Sequence, residues 1–235
     1  MKKLFLLFIF SLFISAFADT GSNDKGLKSF AQANPDAYKD AVKLSLEIRF
    51  VMQKMGYQNC DFALAVVFPE LMRYSAFRDE METFANEILY STSLDAEGCS
   101  IGFFQIKPIF AESVEIQIAK NPALKQKYAI IDYNGDISNI MTRQMRIMRL
   151  TTPETEIAYL FAFIDICMDY YSLEPETPED NLKIIAAAYN SGYFYKRETL
   201  EKISSVDSYP YGSRNTPSWN YVQISSDYYR ILRKK

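Results

Sequence analysis

The residues best placed for chemistry lie in three short islands: Phe68-Pro69-Glu70, Gly102-Phe103-Phe104-Gln105-Ile106-Lys107-Pro108, and Ala187-Ala188-Tyr189-Asn190-Ser191-Gly192. Glu70 ends an apolar run, residues 62–68, that would be dry once folded. A carboxyl at such an edge is partly desolvated, which raises its pKa and lets it hold a proton near neutral pH. That is what a general acid for a glycosidic oxygen requires. Gln105 offers an amide that can bond sugar hydroxyls or an acetamido group, and the rings beside it can stack on sugar faces. Tyr189 and Asn190 close an Ala-rich helix. In this order the islands suggest one acid facing a saccharide cleft. Each also has a plainer reading. Glu70 would pair with Arg73, three residues on along the same helix face, and its pKa would then fall. The turn would simply bury Phe103 and Phe104. Tyr189-Asn190-Ser191-Gly192 would be an ordinary helix end, capped by Asn or Gly.

Composition removes other chemistries. The chain of 235 residues contains no histidine, so Ser-His-Asp and Cys-His catalysis and His-based metal sites are excluded. No metal or cofactor is implied. Met1-Lys2-Lys3, an apolar stretch from Leu4 to Phe17 interrupted by serine, and Ala16-Phe17-Ala18 have the form of a secretory signal peptide cleaved after Ala18. The stretch is short beside the roughly 20 residues of a bilayer span, and no later segment is apolar for long enough to cross one. Two lysines leave with the leader, taking the formal charge from −3 to −5. That balance argues against nucleic acid, whose phosphates need a dense Lys/Arg face. Export would allow two of Cys60, Cys99 and Cys167 to oxidise. Cys60 and Cys99 flank the Glu70 segment and are one candidate pair; three buried thiols are the alternative.

The elements that must position these residues are helical. From Pro35 to Met55 the apolar spacing fits an amphipathic helix, with Ser45 as its polar gap, Asn34 as its capping side chain and Gly56 as its stop. Residues 62–68 form a helix apolar on nearly every side, hence a core helix, which Pro69 would kink, unless it marks a new turn. Phe77 to Leu89 predicts a one-striped helix and Ser91 to Ser100 a loop. Helical spacing returns over residues 113–128 and 137–150, with breaks at Asn121-Pro122 and Asn134-Gly135-Asp136. Residues 152–171 form a further helix with Ile157, Leu160, Phe161 and Ile164 inward, residues 181–190 another, and residues 228–232 a short terminal one. No alternating strand pattern occurs, so the class is mainly α.

Together the islands resemble the soluble lytic transglycosylases, which have a goose-type-lysozyme-like fold and cleave peptidoglycan. The family's acid-bearing helix is similar to Leu64-Ala65-Val66-Val67-Phe68-Pro69-Glu70, and its GLMQIMP motif to Gly102-Phe103-Phe104-Gln105-Ile106-Lys107-Pro108. Its NI and YL helices are similar to Asn139-Ile140 and Ala158-Tyr159-Leu160. Its ALAAYNAG motif is similar to Ile185-Ala186-Ala187-Ala188-Tyr189-Asn190-Ser191-Gly192, and its late ET–YV segment to Thr216-Pro217-Ser218-Trp219-Asn220-Tyr221-Val222. The resemblance covers roughly residues 60–224. It implies a lysozyme-like helical domain over residues 60–235, preceded by a helical extension over residues 19–59 packed on it, after a signal peptide at residues 1–18. It implies Glu70 as acid and base, with Gln105, Phe104, Tyr189, Asn190 and Tyr221 as substrate contacts and peptidoglycan glycan strands as partner. Cleavage of the bond between N-acetylmuramic acid and N-acetylglucosamine would leave a 1,6-anhydro end. A hydrolytic variant would call on a second acid, Asp95 or Glu97. A glycan-binding envelope scaffold on the same fold is the non-catalytic alternative.

Overall fold

A computed structural model of the chain describes residues 25–76, 90, 100–133, 139–192, 195–210 and 218–234. The leader, most of the segment from Phe77 to Cys99 with Asp95 and Glu97, and the Asn134-Gly135-Asp136 break lie outside the described residues. The described chain is mainly helical. Its helices are α1 (Leu27–Ala33), α2 (Pro35–Lys54), α3 (Cys60–Ala76), α4 (Pro108–Lys120), α5 (Pro122–Lys127), α6 (Ile140–Leu150), α7 (Pro153–Tyr170), α8 (Pro178–Ser191), α9 (Arg197–Ile203) and α10 (Tyr221–Arg233). A 3-10 turn at Ala129–Ile131 and two short strands, β1 (Asp207–Tyr209) and β2 (Trp219–Asn220), complete the described elements.

Five of the nine prolines stand at the first position of a helix, in α2, α4, α5, α7 and α8. There the missing amide costs nothing and the fixed φ is already helical. Asn34 does not cap α2 with its side chain, contrary to expectation. It also ends α1, and its amide donates instead to the Phe30 carbonyl at 3.3 Å. Gly56, at φ +82, ends α2 as expected. Among the described residues no helix is long and apolar enough to cross a membrane.

Helix α3 is the axis of the molecule. It packs against α2, α8 and α10, and more lightly against α7. Every residue from Ala63 to Phe68 is buried to 1% exposure or less, as an all-round apolar helix should be. The Ser45 gap in the stripe of α2 is filled by Tyr228 of α10, whose hydroxyl lies 2.6 Å from the serine oxygen. The Tyr228 ring stacks on Phe68 of α3. Helices α1 and α2 thus share one apolar cluster with the rest of the chain.

Pro69 neither ends nor divides α3, which continues to Ala76. Two tyrosine hydroxyls reach the carbonyls beside it: Tyr209 donates to Pro69 and Tyr221 to Val66, the latter at 3.2 Å. Cross-chain bonds of this kind hold a turn that local propensity alone would open. Strands β1 and β2 pair antiparallel, with Tyr209 opposite Trp219, and deliver Tyr209 to that turn. The expected terminal helix is longer than its sequence signal: α10 begins at Tyr221, where the Asn220 side chain accepts from the Gln223 amide at 2.8 Å. Cys60 carries a free thiol that donates to the Tyr57 carbonyl, and Cys167 is also free and buried. The suggested Cys60–Cys99 bridge is therefore corrected at its Cys60 end, while Cys99 lies outside the described residues.

Candidate active site

The turn after Ile101 is closed by two reciprocal bonds, Ile101 N–H to Ile106 O and the reverse, each 3.0 Å. Between them the chain reverses over four residues. Gly102 takes φ +76, and a Cβ added there would lie 2.4 Å from the Glu156 carboxylate and 2.6 Å from the Leu150 carbonyl, so only glycine fits. Gln105 adopts φ +54, an uncommon left-handed conformation for a non-glycine residue, and one that clusters at functional sites.

Three side chains or backbone groups fix this conformation. Buried Glu156, from the first turn of α7, accepts the amides of Phe103 at 3.2 Å and Phe104 at 2.7 Å. Burial pushes its carboxyl up to about 8, while the two amides pull it back down. Tyr189 of α8 donates its hydroxyl to the Phe104 carbonyl at 2.7 Å. Gln105 folds its own Nε2 onto the Gly102 carbonyl at 3.0 Å. Gln105 can then offer a ligand its amide oxygen, an acceptor for a hydroxyl or acetamido N–H, and the second hydrogen of Nε2.

Opposite this turn stands Glu70, 8% exposed. Burial raises its pKa to about 7. The guanidinium of Arg73 and a hydrogen bond with the Tyr221 hydroxyl pull the other way and lose. Arg73 approaches one oxygen, Oε2, at 3.9 Å, beyond hydrogen-bond distance. Among the described residues that oxygen has no hydrogen-bond partner. The expected ion pair exists, then, but as a loose one that does not offset the effect of burial on the acid.

Glu70, Gln105, Tyr189 and Asn190 line one cleft of about 760 Å³, together with Arg73, Lys107, Phe110 and Tyr209 among others. The three islands are therefore brought to a single concavity, of a size typical for ligand sites. Phe110 and Tyr189 form an edge-to-face pair with centroids 5.6 Å apart, backed by Phe163. Such rings give the cleft an aromatic wall suited to the faces of sugar rings.

Two expected contacts are placed differently. Phe104 is 1% exposed, belongs to the apolar core and does not line the cleft, so stacking on a ligand is closed to it. The turn needs its backbone, and its ring fills space beneath. Tyr221 is 2% exposed and is not part of the cleft lining; its hydroxyl hydrogen-bonds Glu70. Tyr189 joins the cleft wall, and its hydroxyl is engaged with the turn. Asn139 and Ile140 lie away from the cleft lining: Asn139 caps α6 through the Met141 amide, and Ile140 is exposed.

Sequence reasoning missed Tyr209 and Glu156. Tyr209 lies in a Tyr-, Ser- and Pro-rich stretch without periodicity. Glu156 reads as an ordinary first-turn acid of a helix, and nothing local tells that it is buried.

Compared with known proteins, the chain matches no family model, no curated protein and no solved structure. The site's chemistry rests on its own geometry.

Proposed function

We propose that this protein is an exported lytic transglycosylase acting on peptidoglycan glycan strands, with Glu70 as sole acid and base. The observation that carries the reading is a single buried carboxyl, poised near pH 7, in a cleft walled by the Gln105 turn and the Tyr189-Asn190 helix end. A group with that pKa is well matched to give a proton and then take one back.

In the first step protonated Glu70 donates to the glycosidic oxygen, and the bond to the muramyl C1 breaks. In the second, ionised Glu70 removes the proton from the muramyl 6-hydroxyl, whose oxygen bonds to C1 and closes the anhydro ring. Tyr221 suits both steps. Its hydroxyl has one proton and, among the described residues, reaches the Val66 carbonyl at 3.2 Å and the Glu70 carboxyl. With Glu70 protonated, the tyrosine proton rests on Val66; with Glu70 ionised, it can turn to the carboxylate. Among the described residues Glu70 is the one carboxylate lining the cleft, which favours internal attack over the paired acids of a hydrolase.

The approach of Arg73 to 3.9 Å, which favours the carboxylate form, supports a second reading, a strand-binding protein in which Glu70 stays charged. Mass spectrometry of material released from peptidoglycan separates them. Wild type is expected to release muropeptides with 1,6-anhydro ends, and Glu70→Gln none. Reducing ends would indicate a hydrolase; strand binding without release would favour the scaffold.

A further inference from the structure

We propose that Arg73 forms, beside Glu70 in the cleft, a recognition site for the carboxylate of an acidic sugar. The inference rests on the glycan-cleft reading above and names the class of sugar that the cleft selects.

Arg73 follows Glu70 by one turn of α3 and lines the cleft with its side chain 36% exposed. A guanidinium carries five N–H donors in a planar fork. Among the described residues the Arg73 side chain makes no hydrogen bond, and its one ionic neighbour is Glu70 at 3.9 Å. Other arginines of the fold are used differently. Arg146 grips Glu115 through Nε and Nη2, and Arg149 binds the carbonyls of Ile131 and Asp132. Those two arginines are structural bolts; Arg73 holds a fork of donors open to the cleft.

Charge points the same way. Among the described residues Arg73 and Lys107 are the two cations lining the cleft, and with Glu70 in its protonated form that described lining is net positive. A cleft of that sign draws anionic ligands. The planar fork matches a carboxylate through two parallel hydrogen bonds, which an ammonium cannot reproduce. Because Arg73 stands next to the acid, the carboxylate it holds belongs to a sugar adjoining the cleavable bond. Two sources have this chemistry: the lactyl ether of N-acetylmuramic acid and the ring carboxylate of a uronic acid. On peptidoglycan the site would prefer muramyl residues whose lactyl carboxyl is free of peptide.

The test is a binding measurement, independent of cleavage. Chemical-shift titrations of the whole protein would compare N-acetylmuramic acid, its neutral lactyl methyl ester and glucuronic acid. Wild type is expected to bind an acid about tenfold more tightly than the ester, the scale of one charge-assisted hydrogen bond. Arg73→Gln should erase that preference, and Arg73→Lys should retain part of it. A stronger response to glucuronic acid keeps the carboxylate site and assigns it to uronates. Equal binding of acid and ester, a preference that survives Arg73→Gln, or no binding of either acid overturns the proposal. A protein that shows the preference without cutting glycan keeps this site and loses the enzymatic reading; one that cuts without the preference does the reverse.

Discussion

Glu70→Gln is expected to stabilise the folded protein above pH 7 by on the order of 3 kcal/mol, and to change little below about pH 4.5. The carboxyl titrates near 4.5 in the unfolded chain and about 7 in the folded one. Between those values the folded state binds the extra proton, so wild-type stability falls as pH rises through that window. Below it both states are protonated and no penalty exists. Above it the wild type bears a buried charge that glutamine does not carry. Urea denaturation of both proteins at the two ends of the window measures the difference. A constant gap across pH would show that Glu70 is not desolvated. The same variant is expected to lose turnover while gaining stability, the usual relation at a site whose function needs an unfavourable group.

Arg146→Ala is expected to cost about 3–5 kcal/mol, because it leaves a buried carboxylate without its main counter-charge. Arg146 is 0% exposed. Its Nε and Nη2 engage Glu115, also buried, with Nη2 at 2.6 Å, and its Nη1 reaches Tyr90 and Glu112. Tyr159 of α7 donates to the same Glu115 carboxylate. One ion cluster thus ties α4, α6 and α7 together. Arg149 lies 3.9 Å from Glu115 and cannot replace the lost bonds. Thermal unfolding would read the loss. Arg146→Met combined with Glu115→Gln should recover part of it, since the two fully buried charges are removed together and Tyr159 still has an acceptor. If the single and double variants were equally unstable, packing rather than charge would be the cause.

Much of this architecture was legible in the sequence because it rests on local signals. Helix-starting prolines, the stop at Gly56 and the break at Asn121-Pro122 are read from backbone stereochemistry, and the all-round apolar run before Glu70 from burial. The candidate site was legible where a side chain acts near its own island, as for Glu70, Gln105, Tyr189 and Asn190. It was hidden where the meaning of a residue depends on distant partners. Glu156 becomes the anchor of the Gln105 turn only because α7 passes beneath it. Tyr209 reaches Pro69 across 140 positions of sequence. Phe104 follows the plainer reading of its turn: tertiary packing buries the ring, and the substrate contact implied by the resemblance does not form. Arg73 was visible as an ion-pair partner, but its distance from the acid, which limits how far it counters the effect of burial, is a property of the fold alone.

The proton on Glu70 is the claim on which the rest depends, and it can be observed. Infrared difference spectra of wild type against Glu70→Gln, recorded from about pH 4 to about pH 9, isolate that one carboxyl. A protonated band that vanishes with a midpoint of about 7 is the predicted result. A midpoint near the ordinary 4.5 would mean that solvent or Arg73 holds the group charged, and would contradict its role as acid.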